Sequence, residues 1–298
     1  MTAPATTAKA VAVAEAGPAG DSRRGLRRGI AYAFLISYAL LMFVPFAWAI
    51  VTSFKTNPDA LRLSFIPNPF TTHGWDKAFT ELNPGLVRLF LNSTIISVSV
   101  TVSNVVLGSM AGYAFARLRF PGREFLFLLV LGTLMIPDQL RLVPIYNILN
   151  TIGLLDNGPP QYLGVILVLA ISATSVFLLR QYFLSIPRDL EEAAKIDGAG
   201  FFTTFWRVML PLATPAIAAV TILQFQGSWN SFFWPLVILN DSHNWTLPIG
   251  MTQFRFAYFT EWPAEMAVVT MATIPIVILY LFFQRYFVEG IAASGVKG

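Results

Sequence analysis

Leu190-Glu-Glu-Ala-Ala-Lys-Ile-Asp-Gly198, running on to Leu210-Pro211, is a polar island in a chain that is otherwise mostly apolar. It reads as helix, glycine turn, helix. Pro187 suits the first turn of a helix, and Asp189, Glu191 and Glu192 complement its positive end. Gly198 supplies the left-handed position that stops it. A second short helix is predicted from about Phe201 to Met209. Pro211 closes the segment, because proline fits the first turn of a following helix and disrupts the interior of a preceding one. The stretch is therefore a compact knob between two long apolar runs, and that arrangement sets the expectation for the rest of the chain.

The apolar runs are membrane spans. With 298 residues, 55% hydrophobic and 12% charged, and a mean hydropathy of +0.63, the chain is too apolar for an ordinary soluble domain. The expected fold is all-α and polytopic, with six transmembrane helices and the knob between spans four and five. Residues 1–29 are read as a flexible cytoplasmic tail, rich in Ala, Thr and Gly and carrying Arg23, Arg24, Arg27 and Arg28. Residues 30–298 form the transmembrane domain. The first run, Ile30 to Phe54, is too long for a signal-peptide core and long enough to cross a ~30 Å hydrocarbon layer, so it is read as an uncleaved span.

A polar, partly aromatic stretch from Lys55 to Val87 should lie outside. The second span, about Arg88 to Ala116, is unusually polar, and its Gly108 and Gly112 allow close approach of another helix. The third starts at Phe125, but Pro137 interrupts it. Either it continues with a distorted end through Asp138 and Arg141, or it breaks and turns around Met135-Ile-Pro-Asp138. The fourth, fifth and sixth spans cover Tyr162 to Phe183, Ala213 to Leu239 and Ala264 to Phe287, with an external loop from Asn240 to Pro263. Of the 20 Lys and Arg residues, six (Lys55, Arg62, Lys77, Arg88, Arg141 and Arg255) fall outside and the other 14 inside. That bias puts both termini, and the Glu192 knob, in the cytoplasm.

The chain carries no Gly-x-x-x-x-Gly-Lys-Ser/Thr phosphate loop, so it is not expected to hydrolyse ATP itself. The centres of spans one, two, four, five and six hold no ionisable residue, which disfavours a proton- or ion-coupled carrier. No catalytic residue and no metal ligand set is nominated: His73 and His243 are the only histidines, there is no cysteine, and no Gly-x-Ser-x-Gly elbow occurs. Polar residues recur at helical spacing in span two (Ser97, Thr101, Asn104, Gly108) and span five (Thr221, Gln224, Ser228, Ser231). Each set lines either a path for an uncharged, hydroxyl-rich solute or a hydrogen-bonded helix interface. Asp138 and Arg141 either pair with one another or meet a passing solute. Trp229 and its aromatic neighbours either stack on sugar rings or form the interfacial belt. The path candidates are thus Asn104, Asp138, Arg141, Gln224, Ser228, Trp229 and Asn230.

The spacing of the knob, Glu192-Ala-Ala, three residues, Gly198, nine residues, Val208, one residue, Leu210-Pro211, resembles the cytoplasmic loop motif of ABC importer permeases. Glu192-Ala-Ala-Lys-Ile-Asp-Gly-Ala199, Leu210-Pro-Leu-Ala-Thr-Pro-Ala216, Trp229-Asn230 and Pro235-Leu236 look like the carbohydrate-importing, maltose-type branch. The endings Gln284-Arg-Tyr-Phe-Val-Glu-Gly290 and Gly295-Val-Lys-Gly298 are similar too. Val208 stands where isoleucine is more usual. The resemblance implies a multi-pass inner-membrane subunit, not an enzyme, that passes a carbohydrate from an extracytoplasmic solute-binding protein into the cytoplasm. Its implied partners are the lipid bilayer, the binding protein, a second homologous permease and two ATPase subunits that hold ATP and Mg; nucleic acid is not among them, and this chain binds no cofactor. Glu192, Ala193, Ala194, Asp197, Gly198, Leu210 and Pro211 are implied to couple to an ATPase, the helix docking in its groove with the alanines permitting close approach. Alternatives are a permease for another solute, such as a glycerol phosphodiester or polyol, and, in a different class, a secondary carrier.

Overall fold

A computed structural model describes residues 19–256 and 258–295; the expected tail before residue 19 and the last three residues of the C-terminal motif lie outside them. The chain divides into two units, Met1–Trp48 and Ala49–Gly298. Helix α1, Ala19–Thr52, begins in the first and ends in the second. Its residues 27–47 are exposed, and its most apolar stretch, Arg27–Thr52, is long enough to cross a bilayer.

The described residues of the second unit are helical, with one bridge of β type among them, between Arg255 and Thr260. Two short helices follow α1, α2 (Asn57–Ala60) and α3 (His73–Thr80), the latter against the start of the last long helix. Then comes α4, Leu86–Arg117, about 48 Å of unbroken helix at 1.5 Å per residue. Its exposed stripe is apolar, with Leu91, Ile95, Val98 and Val102 at helical spacing, while Asn92, Ser93, Ser97, Thr101 and Asn104 are buried. Such a helix has its oily face toward lipid and its polar face toward protein, and α4 is the spine of the unit.

The third expected span takes the second of its two options. α5 (Arg123–Gly132) and α6 (Leu142–Thr151) meet at 103° through two short 3-10 turns around Pro137. The fourth span is also broken: α7 (Pro160–Leu169) and α8 (Ala173–Ser185) meet at 47°. α8 lies along α4 where the two glycines permit it. A Cβ on Gly112 would sit 2.9 Å from Arg180 N and Leu179 Cβ, and one on Gly108 3.1 Å from Ser175 Cβ. After the knob, which comprises α9 (Asp189–Ile196), α10 (Phe201–Thr204), a π-helical turn and α11 (Leu210–Leu212), the chain bends 76° into α12 (Thr214–Trp229).

The fifth expected span does not run on to Leu239. It stops at Trp229 and resumes as α13, Phe233–Ile238. Pro235 is the cause, since its ring would clash with the carbonyl of Ser231 in a continuing helix and it has no N–H to donate. The sixth is α15, Trp262–Gly295. Among the described residues, three single helices and three bent pairs supply up to six crossings, six if each bent pair is one span.

The segment expected as an external loop is not free of the body. Asn244, Thr246, Leu247, Ile249, Gly250 and Phe254 are buried, and α14 (Leu247–Met251) packs so closely on α4 that a Cβ on Gly250 would meet Leu89 Cδ1 at 2.3 Å. Polar side chains satisfy the backbone there. Asn92 donates to the carbonyls of His243 and Trp245 (both 2.8 Å) and accepts from Tyr162, Ser93 accepts from Leu247 N (2.7 Å), and Asn244 donates to Gly158 O and Gln161 Oε1.

Candidate functional site

At the α9 end of the unit, α9 stops as its composition predicts. Gly198 has φ +81°, its N–H reaches Lys195 O at 3.0 Å, and Ala199 N–H reaches Ala194 O at 2.9 Å, the paired bonds of a Schellman stop. The helix starts two residues later than Pro187, with Arg188 as cap and Asp189, Glu191 and Glu192 in its first turn.

Its faces are not equivalent. Ala194 is buried against the body, whereas Glu192, Ala193, Ile196 and Asp197 are exposed, Ile196 at 86%. Phe202 (67%) and Trp206 also stand out from the second half of the knob. Leu210 is partly buried, and Pro211, exposed, opens the turn into α12. The knob thus offers a small helix with an acidic residue, a small residue and an unsupported isoleucine outward.

What holds it in place is Arg117, the last residue of α4, whose side chain is 4% exposed. One guanidinium nitrogen donates to Phe183 O at 2.6 Å and to Ile186 O, at the end of α8. Another lies 3.4 Å from Glu191 Oε1 on α9, a carboxylate only 12% exposed. A planar fork spreads its donors over separate nitrogens and so suits such a tie, whereas a lysine ammonium would have to reach all three acceptors from one nitrogen. Around it Tyr113, Phe183 and Phe205 pack ring against ring, at 5.1 to 6.5 Å between centroids. Movement of α9 is therefore mechanically connected to α4 and α8. Arg117, Glu191 and Ile196 were not singled out as site residues from sequence. An apolar residue at the exposed end of a short acidic helix was the available signal for Ile196; nothing local marks Arg117, whose partners are remote in the chain.

The expected path residues are dispersed. Asn104 is fully buried at the α7–α8 break. Its amide donates to Val100 O and Leu169 O and accepts from Ser172 N and Ser175 Oγ, so all four of its bonds are made inside the chain. This is how the broken span keeps its backbone satisfied. Asp138 and Arg141 pair with each other on their 3-10 turn. On α12, Gln224 is half-buried and Ser228 buried. Trp229 is also buried, donating to Ala272 O at 3.0 Å and stacking on Phe225. With Asn230 it borders a cavity of about 150 Å³, too small for a sugar dimer. The open stripe on α12 is the neighbouring one: Leu223, Gln226, Gly227 and Asn230, exposed at positions i, i+3, i+4 and i+7. Of these only Asn230 was anticipated. No cluster of metal-ligating residues occurs among the described residues.

These features define a class: a helical, polytopic membrane protein that displays a short, partly exposed helix at one end of its second unit. The family described as the binding-protein-dependent transport system inner membrane component is matched over residues 104–292. The chain is 38% identical to the arabinooligosaccharides transport system permease AraQ of Halalkalibacterium halodurans, over 90% of this chain and 97% of that one. It is 36% identical to the diacetylchitobiose uptake permease NgcG of Streptomyces coelicolor (86% and 84%) and 32% identical to the sn-glycerol-3-phosphate permease UgpE of Agrobacterium fabrum (91% and 98%). Its fold is shared with a bacterial ABC transporter involved in import of the acidic polysaccharide alginate, at TM-score 0.74 and 24% identity over 89% of this chain and 98% of that one. The chain belongs to the family of binding-protein-dependent inner-membrane transport components, and it is the permease subunit of an ABC importer rather than an enzyme.

Proposed function

We propose that this permease imports a neutral oligosaccharide delivered by an extracytoplasmic binding protein, in a complex with a second, related permease and two ATPase subunits that bind ATP and Mg. In this reading both termini and α9 face the cytoplasm, which the Lys/Arg bias supports. The observation that carries the coupling role is α9 itself. It holds Glu192, Ala193 and Ile196 outward, while Arg117 and Glu191 anchor its other face to α4 and α8. ATP-driven closure of the ATPase pair would move α9, and Arg117 would pass that movement to α4. Gly198 and the Leu210-Pro211 turn set the angle at which the helix is presented.

The solute is read as neutral because the open stripe on α12 carries amides and a glycine rather than charges, and because Asp138 and Arg141 neutralise each other. Amides exchange hydrogen bonds with hydroxyls without holding an ion. AraQ and NgcG are named for oligosaccharides, which favours the same class. A glycerol phosphate solute, the cargo in UgpE's name, is the second reading. It requires a cationic group on the path, for which Arg141 is the candidate once it is released from Asp138. Mild-detergent purification of the tagged chain tests the assembly, and uptake of labelled sugars against glycerol 3-phosphate in proteoliposomes tests the cargo. Recovery of the chain without an ATPase would defeat the proposal, and uptake of the phosphate ester alone would replace its solute.

A further inference from the structure

Beside the anchored face of α9 lies a groove of about 690 Å³ that none of these roles uses. It is formed by the turn between α4 and α5 and by the residue that caps α9, and three arginines (Arg119, Arg123, Arg188) line it with three apolar residues (Phe120, Pro121, Phe125). Arg119 and Arg188 are exposed, and neither side chain has a hydrogen-bond or ion-pair partner among the described residues. Arg123 is occupied, donating to Leu118 O and to Glu124. Glu124 is the one carboxylate in the lining. It is neutralised twice, by Arg123 at 2.7 Å and by Arg180 at 3.1 Å. Gly122, at φ +78°, starts α5 with no side chain capping it, so the first N–H groups of that ten-residue helix are also open. The groove therefore has an excess of fixed positive charge and free donors.

Its other half is oil. Phe125 is 64% exposed, and Leu128 and Leu129 continue the exposed apolar strip along α5, away from the arginines. We propose that this groove seats the headgroup of an anionic phospholipid, its phosphate between Arg119, Arg188 and the start of α5 and its chains along Phe125, Leu128 and Leu129. A soluble phosphate would gain nothing from the apolar strip. An acidic protein surface would use the arginines and leave the strip uncovered. Only an amphiphile meets both halves, and the junction of an apolar helix with a cationic loop is where headgroups lie.

The binding itself depends only on α5 lying in the bilayer. Its consequence deepens the reading of α9 as the coupling helix and rests on it. The Arg188 carbonyl accepts the N–H groups of Glu191 and Glu192, so a lipid held by Arg188 fixes the start of α9 relative to the membrane surface and tunes coupling.

The test uses the assembled complex in nanodiscs containing a photoactivatable phosphatidylglycerol or a phosphatidylcholine of the same chains. Labelling of residues 118–124 should be far stronger with the glycerol lipid than with the choline lipid, which meets α5 only as bulk lipid. It should fall about 30-fold in Arg119→Gln/Arg188→Gln, two exposed sites each contributing about fivefold at a membrane surface. Millimolar soluble glycerol phosphate should not compete. Equal labelling by both lipids, unchanged labelling in the double variant, or full displacement by glycerol phosphate would each overturn the proposal. So would loss of the ATPase subunits from the double variant with labelling intact, because the arginines would then serve the ATPase. Sugar uptake by the wild-type complex, measured in parallel, separates the two readings: failed labelling with normal uptake removes the lipid site and leaves the importer.

Discussion

Replacing Arg117 with methionine keeps an unbranched, helix-compatible side chain and removes the guanidinium that ties three segments together. In the folded protein this leaves the Glu191 carboxylate, 12% exposed, without its arginine and the Ile186 carbonyl without its side-chain donor, while the Phe183 carbonyl keeps only the N–H of Ile186. Removing one member of a buried pair typically costs ~3–5 kcal/mol, and the residual exposure of Glu191 argues for the lower end, about 3 kcal/mol. The remainder of α4 is held by α8 and α12, so the loss should fall on the knob rather than on global folding. A penalty of that size raises the open population of α9 by about 150-fold. Amide hydrogen exchange over Asp189–Ile196 in detergent-solubilised complex reads it directly, with residues 96–104 of α4 as the internal control. Arg117→Lys should fall between the two, because it keeps the charge and loses the fork. Arg117→Met/Glu191→Leu should recover part of the loss by removing the stranded carboxylate. If exchange in α9 is unchanged in Arg117→Met while the protein remains folded, the anchoring argument is refuted.

Glu192→Lys should leave membrane abundance unchanged and reduce ATPase co-purification, by about 30-fold or more if the carboxylate meets a charged partner in the groove; immunoblots of the purified complex report it. Gly198→Val should act through geometry, since a β-branched residue resists φ +81° although no atom lies within 4 Å of its Cβ; uptake should fall with the chain still inserted. Gly112→Leu should force α4 and α8 apart, where even a Cβ comes within 2.9 Å of backbone, and lower the thermal unfolding midpoint measured by fluorescence-detected size exclusion. Deleting Asp241 to Trp245 should destabilise the chain, because Asn244 and the Trp245 carbonyl are buried hydrogen-bond partners; replacing the exposed Phe256, Tyr258 and Phe259 with serine instead should leave stability unchanged, and uptake through the binding protein tests whether that tip docks it.

The elements most legible in the sequence are those governed by local rules. The stop at Gly198 follows from backbone sterics, the break at Pro137 from a missing N–H, and the close approach at Gly108 and Gly112 from absent side chains. What was not legible depends on contacts remote in the chain. Asn104 looks like a path residue because an amide in a span is costly unless satisfied, and three of its four partners lie 65 to 71 residues away. The stretch after Asn240 looks like a free loop because it is polar, yet Asn92, Ser93 and Gln161 supply what lets it pack inside. The open stripe on α12 is one residue out of phase with the expected one, since which polar face turns inward is decided by α4, α8 and α15 rather than by α12 itself. Arg117 reads from sequence only as a basic residue just past the second span, counted among the 14 on the inner side, and only the fold makes it an anchor.

The central claim is that α9 couples this permease to an ATPase subunit, and the chain's lack of cysteine makes a direct measurement simple. Ile196→Cys, carrying a short photoreactive maleimide and activated in native membranes, should cross-link to the ATP-binding subunit, with a yield that changes when ATP and vanadate trap the closed state. A residue that instead reacts with impermeant reagent from outside intact cells, and forms no adduct with an ATP-binding protein, would contradict the account.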